Sequence, residues 1–486
     1  MEAMKCILTV LVSITILSLH TFAHNGLRPR GDLNCDWEVN IADANVLADA
    51  IIAKVPYHSL YTYAHDINAD KVINIADLNM LIGAILGDEL SPMPTYSGTL
   101  PVLFINTEGH QNIVSKEEYM QAEWWLDNMG IDNVVPIGSA ASPLGMKIKG
   151  HGNASWKQQE KKPFRLKLNE KQPLLGMPSN RNWVLLANAN YWKGMINDVL
   201  PWELGRRMGM AWNPHFEPVE VVLNGQYIGL YFLTEKIRVG KKRVNITEQQ
   251  DGETVPYNMT GGWLLEIDNY ATPNRITIVD QNSNIMITPH SPDELSAEQR
   301  AYITDFLVKT NEAIKSNNVN DRTWELYIDI DALAIYYIIQ EITDNIESFS
   351  GSCYMYKERG NNTKLIFGPL WDGGCVYHRW SPTYKFNEFI YENVPSFSHL
   401  HWITEIVKFK HFQERVHYYW KKFYQGVYPG MDDFLDRFAA RIDEAGNYDS
   451  KIWPTIGSDN ISQRMEQYGK PSFHKKVAWL QSQWGR

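Results

Sequence analysis

Apolar and polar positions alternate with period two through much of the middle of this chain and switch to a helical period toward its end. Residues 100–105 predict an opening strand. Residues 146–150 alternate into a glycine-rich turn that runs to Trp156. Residues 163–168 alternate apolar and basic positions, so Arg165 and Lys167 share one face of a strand. Residues 183–187 form a short apolar strand. The pair Asn224-Gly225 between two β-rich runs predicts a hairpin, because both central residues of that turn take positive φ. Residues 263–268 predict a further buried strand ending in carboxylates. Helical signals interrupt and then replace this pattern. Ser115, with Glu118 at the capping-box position, predicts a helix to Trp125, and 196–208 predict an amphipathic one. From Ser296 onward helices dominate, over 297–314, 332–342 and several between 411 and 484. The aromatic positions Tyr418, Tyr419, Trp420 and Phe423 in that tail suit core packing better than a sugar-binding platform. A strand-rich half followed by a helical half predicts an α+β chain of two lobes, an antiparallel sheet and a helical body, with a cleft between them.

Residues 340–374 carry the densest chemistry. An apolar helix ends at Asp344, Asn345 and Glu347, a strand (352–357) and a polar loop (358–363) follow, and a second strand (365–370) releases Asp372. Oxygen ligands on loops beside a two-stranded ribbon suit a hard metal ion and a phosphate tail. The turn Lys149-Gly-His-Gly152 can bring backbone N–H groups close to phosphates, with Lys161, Lys162, Arg165 and Lys167 neutralising them. The same residues also fit a structural hairpin with solvated lysines.

The N-terminal region adds a repeat. Asp32-Leu-Asn-Cys-Asp-Trp-Glu-Val-Asn-Ile-Ala-Asp43 recurs 34 positions later as Asp66-Ile-Asn-Ala-Asp-Lys-Val-Ile-Asn-Ile-Ala-Asp77. Asp32, Asn34, Asp36, Asn40 and Asp43, and then Asp66, Asn68, Asp70, Asn74 and Asp77, stand at loop positions 1, 3, 5, 9 and 12. Those spacings let one short loop wrap a calcium ion. Before the repeat, residues 1–23 have a Lys5 start, an apolar run over 7–19 and a small-residue exit at Thr21-Phe22-Ala23, the pattern of a secretory signal peptide. An exported mature chain with no membrane span is expected.

Size and charge narrow the class. At 486 residues and 44% apolar the chain can bury more than one core, and a formal charge of −10 argues against a nucleic-acid partner. Of four cysteines, Cys353 and Cys375 flank the central stretch. They can pair if their strands are adjacent, or stand as buried free thiols.

The paired loops resemble the dockerin module, whose calcium loops and helices dock onto cohesins of polysaccharide-degrading assemblies. Where that family commonly has Gly at loop position 6, Trp37 and Lys71 stand here. About 380 positions from Leu100 onward resemble the CotH kinase family, named after a spore-coat protein. The resemblance is carried by Lys149-Gly-His-Gly-Asn-Ala-Ser-Trp156, Lys161-Lys-Pro-Phe-Arg-Leu-Lys167, Leu174-Leu-Gly-Met177, Trp183-Val-Leu-Leu-Ala-Asn188, Asn224 to Glu235, Gln340-Glu-Ile-Thr-Asp-Asn345 and Phe367-Gly-Pro-Leu-Trp-Asp372. It implies a divergent, two-lobed protein-kinase-like domain that binds ATP with Mg²⁺ or Mn²⁺. By the family's motifs Asp372 is the metal ligand, with Asn345, and Asn345-Ile-Glu347 stands for the Asn-x-Asp catalytic motif. Lys149, Gly150, Gly152, Lys162, Arg165 and Lys167 become phosphate-binding candidates, with Glu235 fixing a lysine. The family often has a second carboxylate two residues after the first, and here Gly374 stands there.

The expected organisation is a signal peptide (1–23), dockerin-like calcium loops (28–88), a linker (89–98) and a CotH-like domain (99–486). The expected partners are a cohesin-like scaffold and a protein whose Ser or Thr accepts phosphate, at a bacterial cell surface or outside it. Two rivals stay open: an inactive CotH-like surface protein that binds a protein or glycan, and a glycan-active enzyme, for which no carboxylate pair speaks.

Overall fold

The computed structural model describes residues 26–58, 60–188, 195–268, 270, 272–280, 284–377, 386–392, 402–453 and 460–485. The expected signal peptide lies outside them. Among the described residues no helix is long and apolar enough to cross a membrane. The chain divides into two compact units. One runs to Lys162 and takes in Val219–Leu230; the other holds Pro163–Pro218 and everything from Tyr231 onward.

In the first unit each acidic loop leads into a helix, α1 (Ile41–Ile52) and α2 (Ile75–Ile85). Asn40 and Asn74 cap these helices. The carboxylates of Asp43 and Asp77 return to the cap N–H in a closed capping box, so the last loop residue is also the helix starter. Leu33, Ala44, Leu47, Ala64, Ile67 and Leu81 make the core of the pair. Strands β1 (Val102–Thr107), β2 (Met120–Asp127) and β3 (Leu144–Gly150) follow. β2 lies where a helix was expected. Ser115 Oγ does accept the N–H groups of Glu117 and Glu118, at 3.1 and 3.0 Å, but caps only a turn. Beyond it Ala122, Trp124 and Leu126 are buried at period two, and β2 pairs antiparallel with both β1 and β3.

The later strands are β4 (Phe164–Gln172), β5 (Asn180–Leu186), β6 (Phe216–Leu223) and β7 (Gln226–Glu235). Asn224 and Gly225 turn the last pair with φ of 52° and 73°, as expected. The first seven strands close a barrel in the order β1-β2-β3-β4-β5-β7-β6, with β1 and β6 parallel. This replaces the single antiparallel sheet expected from sequence, because β2 supplies the strand that lets the sheet close. A second, five-stranded antiparallel sheet takes β8 (Trp263–Ile267), β9 (Ile276–Ile278), β10 (Ile285–Ser291), β11 (Cys353–Lys357) and β12 (Ile366–Phe367) in the order β12-β11-β8-β10-β9.

Helices α3 (Val199–Arg207), α4 (Ala297–Ile314), α5 (Ile330–Thr343), α6 (Lys410–Lys422), α7 (Met431–Ile452) and α8 (Lys470–Trp484) belong to the second unit. Trp420 and Phe423 are core, as expected, while Tyr418 stays 45% exposed. Cys35, Cys353 and Cys375 are free thiols. Cys353 is sealed at the start of β11, where burial pushes its thiol up to about 12. The Cys375 thiol is turned to Glu347.

Candidate functional site

Asp372 leaves β12 in a left-handed conformation (φ 59°, ψ 74°), and its carboxylate accepts the N–H of Gly374 at 3.1 Å. Gly373 explains how this loop is held. A Cβ there would lie 2.0 Å from the Asn197 carbonyl oxygen and 2.8 Å from the Asp198 nitrogen, so only glycine fits. Asn197 Nδ2 donates to the Gly373 carbonyl (3.0 Å), and the Gly373 N–H donates to Asp198 Oδ1 (2.7 Å). Trp202 Nε1 donates to the Leu370 carbonyl at 2.9 Å, and its ring centroid lies 5.8 Å from that of Trp371. These contacts latch the segment before α3 onto the loop after β12.

Asn345 and Glu347 arrive from the end of α5, where Asp344 turns the chain with φ 53°. Asn345 Oδ1 accepts the Glu347 N–H (3.3 Å), and the Cys375 thiol donates to Glu347 Oε2 (3.0 Å). The charges of Glu347 and Asp198 both act on Asp372. The Asp372 side chain reaches solvent from dense surroundings. That crowding first, and the charges of Glu347 and Asp198 next, push its carboxyl up to about 7. Crowding alone pushes Asp198 up to about 6, against the Gly373 hydrogen bond.

A pocket of about 450 Å³ lies elsewhere in the same unit. Arg165, Lys167 and Lys171 of β4, Arg181 of β5, and Lys236 and Arg238 after β7 line it, with Glu248, His290 and Asp293. Two indirect links run from the pocket toward the Asp372 recess. His290 shares a 2.5 Å hydrogen bond with Glu266 of β8, and the Glu266 charge is among those acting on Asp372. The pocket residues Ile237 and Val239 belong to an apolar cluster against which Trp371 packs.

The other expected phosphate-binding residues lie in the first unit, and two of them, Gly150 and Lys162, lie against Trp156. A Cβ on Gly150 would meet the Trp156 ring at 2.6 Å. Lys162 Nζ donates to the Trp156 carbonyl (2.7 Å) and lies over that ring. Lys149 donates to the Glu117 carbonyl at 3.1 Å, and Gly152 takes φ 79°. Glu235 does not fix a lysine. Fully buried, it pairs with Arg243 (3.5 Å) and His215 (2.8 Å). Asp198, Arg181, Arg238 and His290 were not legible as site residues. An Asp at a helix start ordinarily caps it, and Asp198 makes no cap bond, having turned to Gly373 instead.

In the calcium loops, Asp32 accepts the N–H groups of Asp36 (3.2 Å) and Trp37 (3.0 Å), and Asp66 those of Asp70 (3.0 Å) and Lys71 (2.9 Å). Trp37 and Lys71 adopt φ of 71° and 68°, so the sharp turn forms without glycine. Asn34 and Asn68 Nδ2 point at Asp36 and Asp70, and Asp43 and Asp77 are wholly buried. Burial raises the carboxyls of Asp32 and Asp66, which a bound cation would reverse, so the donor set fits calcium. Among the described residues no three His, Cys, Asp or Glu side chains converge as a ready metal cage, in these loops or at Asp372. Mg²⁺ characteristically takes one or two carboxylates plus substrate phosphates, which suits the Asp372 recess. For the loops, calcium is expected to raise helicity by circular dichroism in the wild type and not in Asp32→Ala/Asp66→Ala. A gain that persists in the double variant would contradict the assignment.

The family model for CotH kinase protein matches residues 147–481, more than half of the chain, and that for the Dockerin type I domain matches residues 30–86. Type I dockerin domains typically bind calcium. No curated protein matches the chain.

Proposed function

The chain belongs to the CotH kinase protein family, and from that membership and the charge layout of its site we propose that it is an exported, dockerin-bearing atypical protein kinase. It transfers the γ-phosphoryl group of ATP to a protein Ser or Thr in a polysaccharide-degrading assembly. The observation that carries this reading is the cation-lined pocket of Arg165 and Lys167, linked through His290 and Glu266 toward Asp372. Fold likeness carries less, because a closed barrel is not the open sheet expected of a kinase-like lobe.

Arg165, Lys167 and Lys236 hold the phosphates, and Asp372 with Asn345 would hold Mg²⁺ or Mn²⁺. Bound there, the metal would supply neutralisation of the phosphate tail's charge. Glu347, oriented by Cys375, takes the proton of the acceptor hydroxyl. The acceptor oxygen bonds to the γ-phosphorus as the bond from that phosphorus to the β–γ bridging oxygen breaks, and ADP leaves with that oxygen and its electron pair. Dockerin domains bind cohesins, so residues 28–88 are the docking module, 89–98 the linker and 99–486 the kinase domain, placed at the cell surface or outside it by the signal peptide at 1–23.

A second reading, an inactive CotH-like protein that binds a protein or glycan partner, is favoured by Gly374 in place of the second carboxylate. Thermal melting separates the two. Mg²⁺–ATP at roughly a hundredfold excess over Kd is expected to add about 2.7 kcal/mol of stability, a rise of a few degrees. A melting temperature that neither nucleotide nor metal moves would end the kinase reading.

A further inference from the structure

Resting on the kinase reading, we propose that the acceptor is an acidic segment, whose carboxylates or phosphate groups flanking the target hydroxyl are held by the outer part of the cation-lined pocket. Arg165 to Lys171 are six positions apart on β4, a span of about 20 Å at a rise of roughly 3.3 Å per residue. Three linked phosphates occupy only part of such a length.

Exposure divides the lining. Arg165 and Lys236 are half-buried, whereas Lys167, Lys171, Arg181 and Arg238 are exposed. Lys171 and Arg181 lie toward the far end of the β4–β5 ribbon, where Gln172 pairs with Asn180. Six Lys and Arg face two carboxylates, Glu248 and Asp293. A nucleotide tail partly neutralised by its metal leaves that excess uncancelled. Arg181 does pair with Glu170 at 3.6 Å, but both side chains are exposed, and such a pair exchanges readily for another anion.

The rest of the molecule sharpens the preference. With a net charge of −10, the chain as a whole does not attract an acidic segment, so the cationic pocket stands out against the overall charge. Complementary charge of this kind sets which partner is accepted more than how tightly any partner binds.

The test uses the full chain with Mg²⁺ and a non-hydrolysable ATP analogue, and three labelled peptides identical around one Ser but flanked by Glu, by Lys or by phosphoserine. Fluorescence anisotropy reads their binding whether or not transfer follows. The Glu peptide is expected to bind at least about tenfold more tightly than the Lys peptide, with the margin shrinking as salt rises. Lys171→Glu/Arg181→Glu should abolish or invert the margin, and Lys171→Gln/Arg181→Gln should leave it between the two. A phosphoserine peptide that outbinds the Glu peptide assigns the outer pocket to phosphate; equal binding assigns it to carboxylates. Equal binding of the Glu and Lys peptides, or a margin that survives the charge reversal, overturns the proposal. Loss of the nucleotide-induced melting shift in the wild type would instead overturn the kinase reading beneath it.

Discussion

Asp372→Asn is expected to lower ATP-dependent phosphate transfer by a factor on the order of 10²–10³, the scale of removing one preorganised electrostatic partner of a transition state. The exchange keeps the shape of the side chain and the oxygen that accepts the Gly374 N–H, so the turn after β12 persists. What disappears is the charge that faces Glu347 and Asp198. Without a cation those three carboxylates repel one another, so the variant's own melting temperature should stay level or rise. Its response to Mg²⁺ and nucleotide should vanish. A function-bearing charge that opposes folding produces that opposite movement of stability and activity, and a merely structural aspartate does not. Radiolabelled transfer measured beside melting curves checks both halves. Full activity in the variant, or a collapse in its melting temperature, would remove Asp372 from the chemistry.

Lys476→Met is expected to cost about 3–5 kcal/mol of stability, because it leaves buried carboxylates without their cation. Lys476 of α8 is wholly buried, and its Nζ reaches Asp344 Oδ1 (3.0 Å), Glu341 Oε2 (3.4 Å) and the Glu388 carbonyl (2.7 Å). Burial pushes the Glu341 carboxyl up to about 7, and Lys476 is the largest influence in the other direction. With the lysine gone Glu341 loses the main influence that lowers its pKa and stays protonated beyond the point near 7 where the wild type ionises, so the variant's deficit grows as pH rises above about 7 and shrinks on acidification. A lost-packing effect would not depend on pH. Denaturant unfolding at pH 5 and pH 8 distinguishes the two. The same triad fixes the left-handed turn at Asp344 just ahead of Asn345 and Glu347, so weakened transfer is expected even where the variant remains folded.

The sequence disclosed this molecule unevenly, for physical reasons. Local rules worked where one turn or cap decides the backbone: Asn224-Gly225 forms the expected hairpin, and Ser296 starts the helix Ala297–Ile314 with a closed capping box. They failed at Ser115, whose cap-like hydrogen bonds end in a turn because Ala122, Trp124 and Leu126 gain more by lining a sheet. Barrel closure depends on pairing β1 with β6, more than a hundred residues on, and no local signal carries that. At the site, Asp372, Glu347 and Arg165 stood in motifs that could be read along the chain. Asp198 and His290 enter only through contacts with Gly373 and Glu266, made by distant segments. Trp37 and Lys71 show the reverse case: residue types that resist positive φ adopt it because the loop carboxylates hold their N–H groups.

The most direct test is a crystal structure with Mn²⁺ and a non-hydrolysable ATP analogue, using anomalous scattering to locate the metal. The expected result is a manganese peak on the Asp372 carboxylate, with the phosphate chain running from it to Arg165 and Lys167. A peak remote from Asp372, or a nucleotide bound with no phosphate in the cation-lined pocket, would contradict the account.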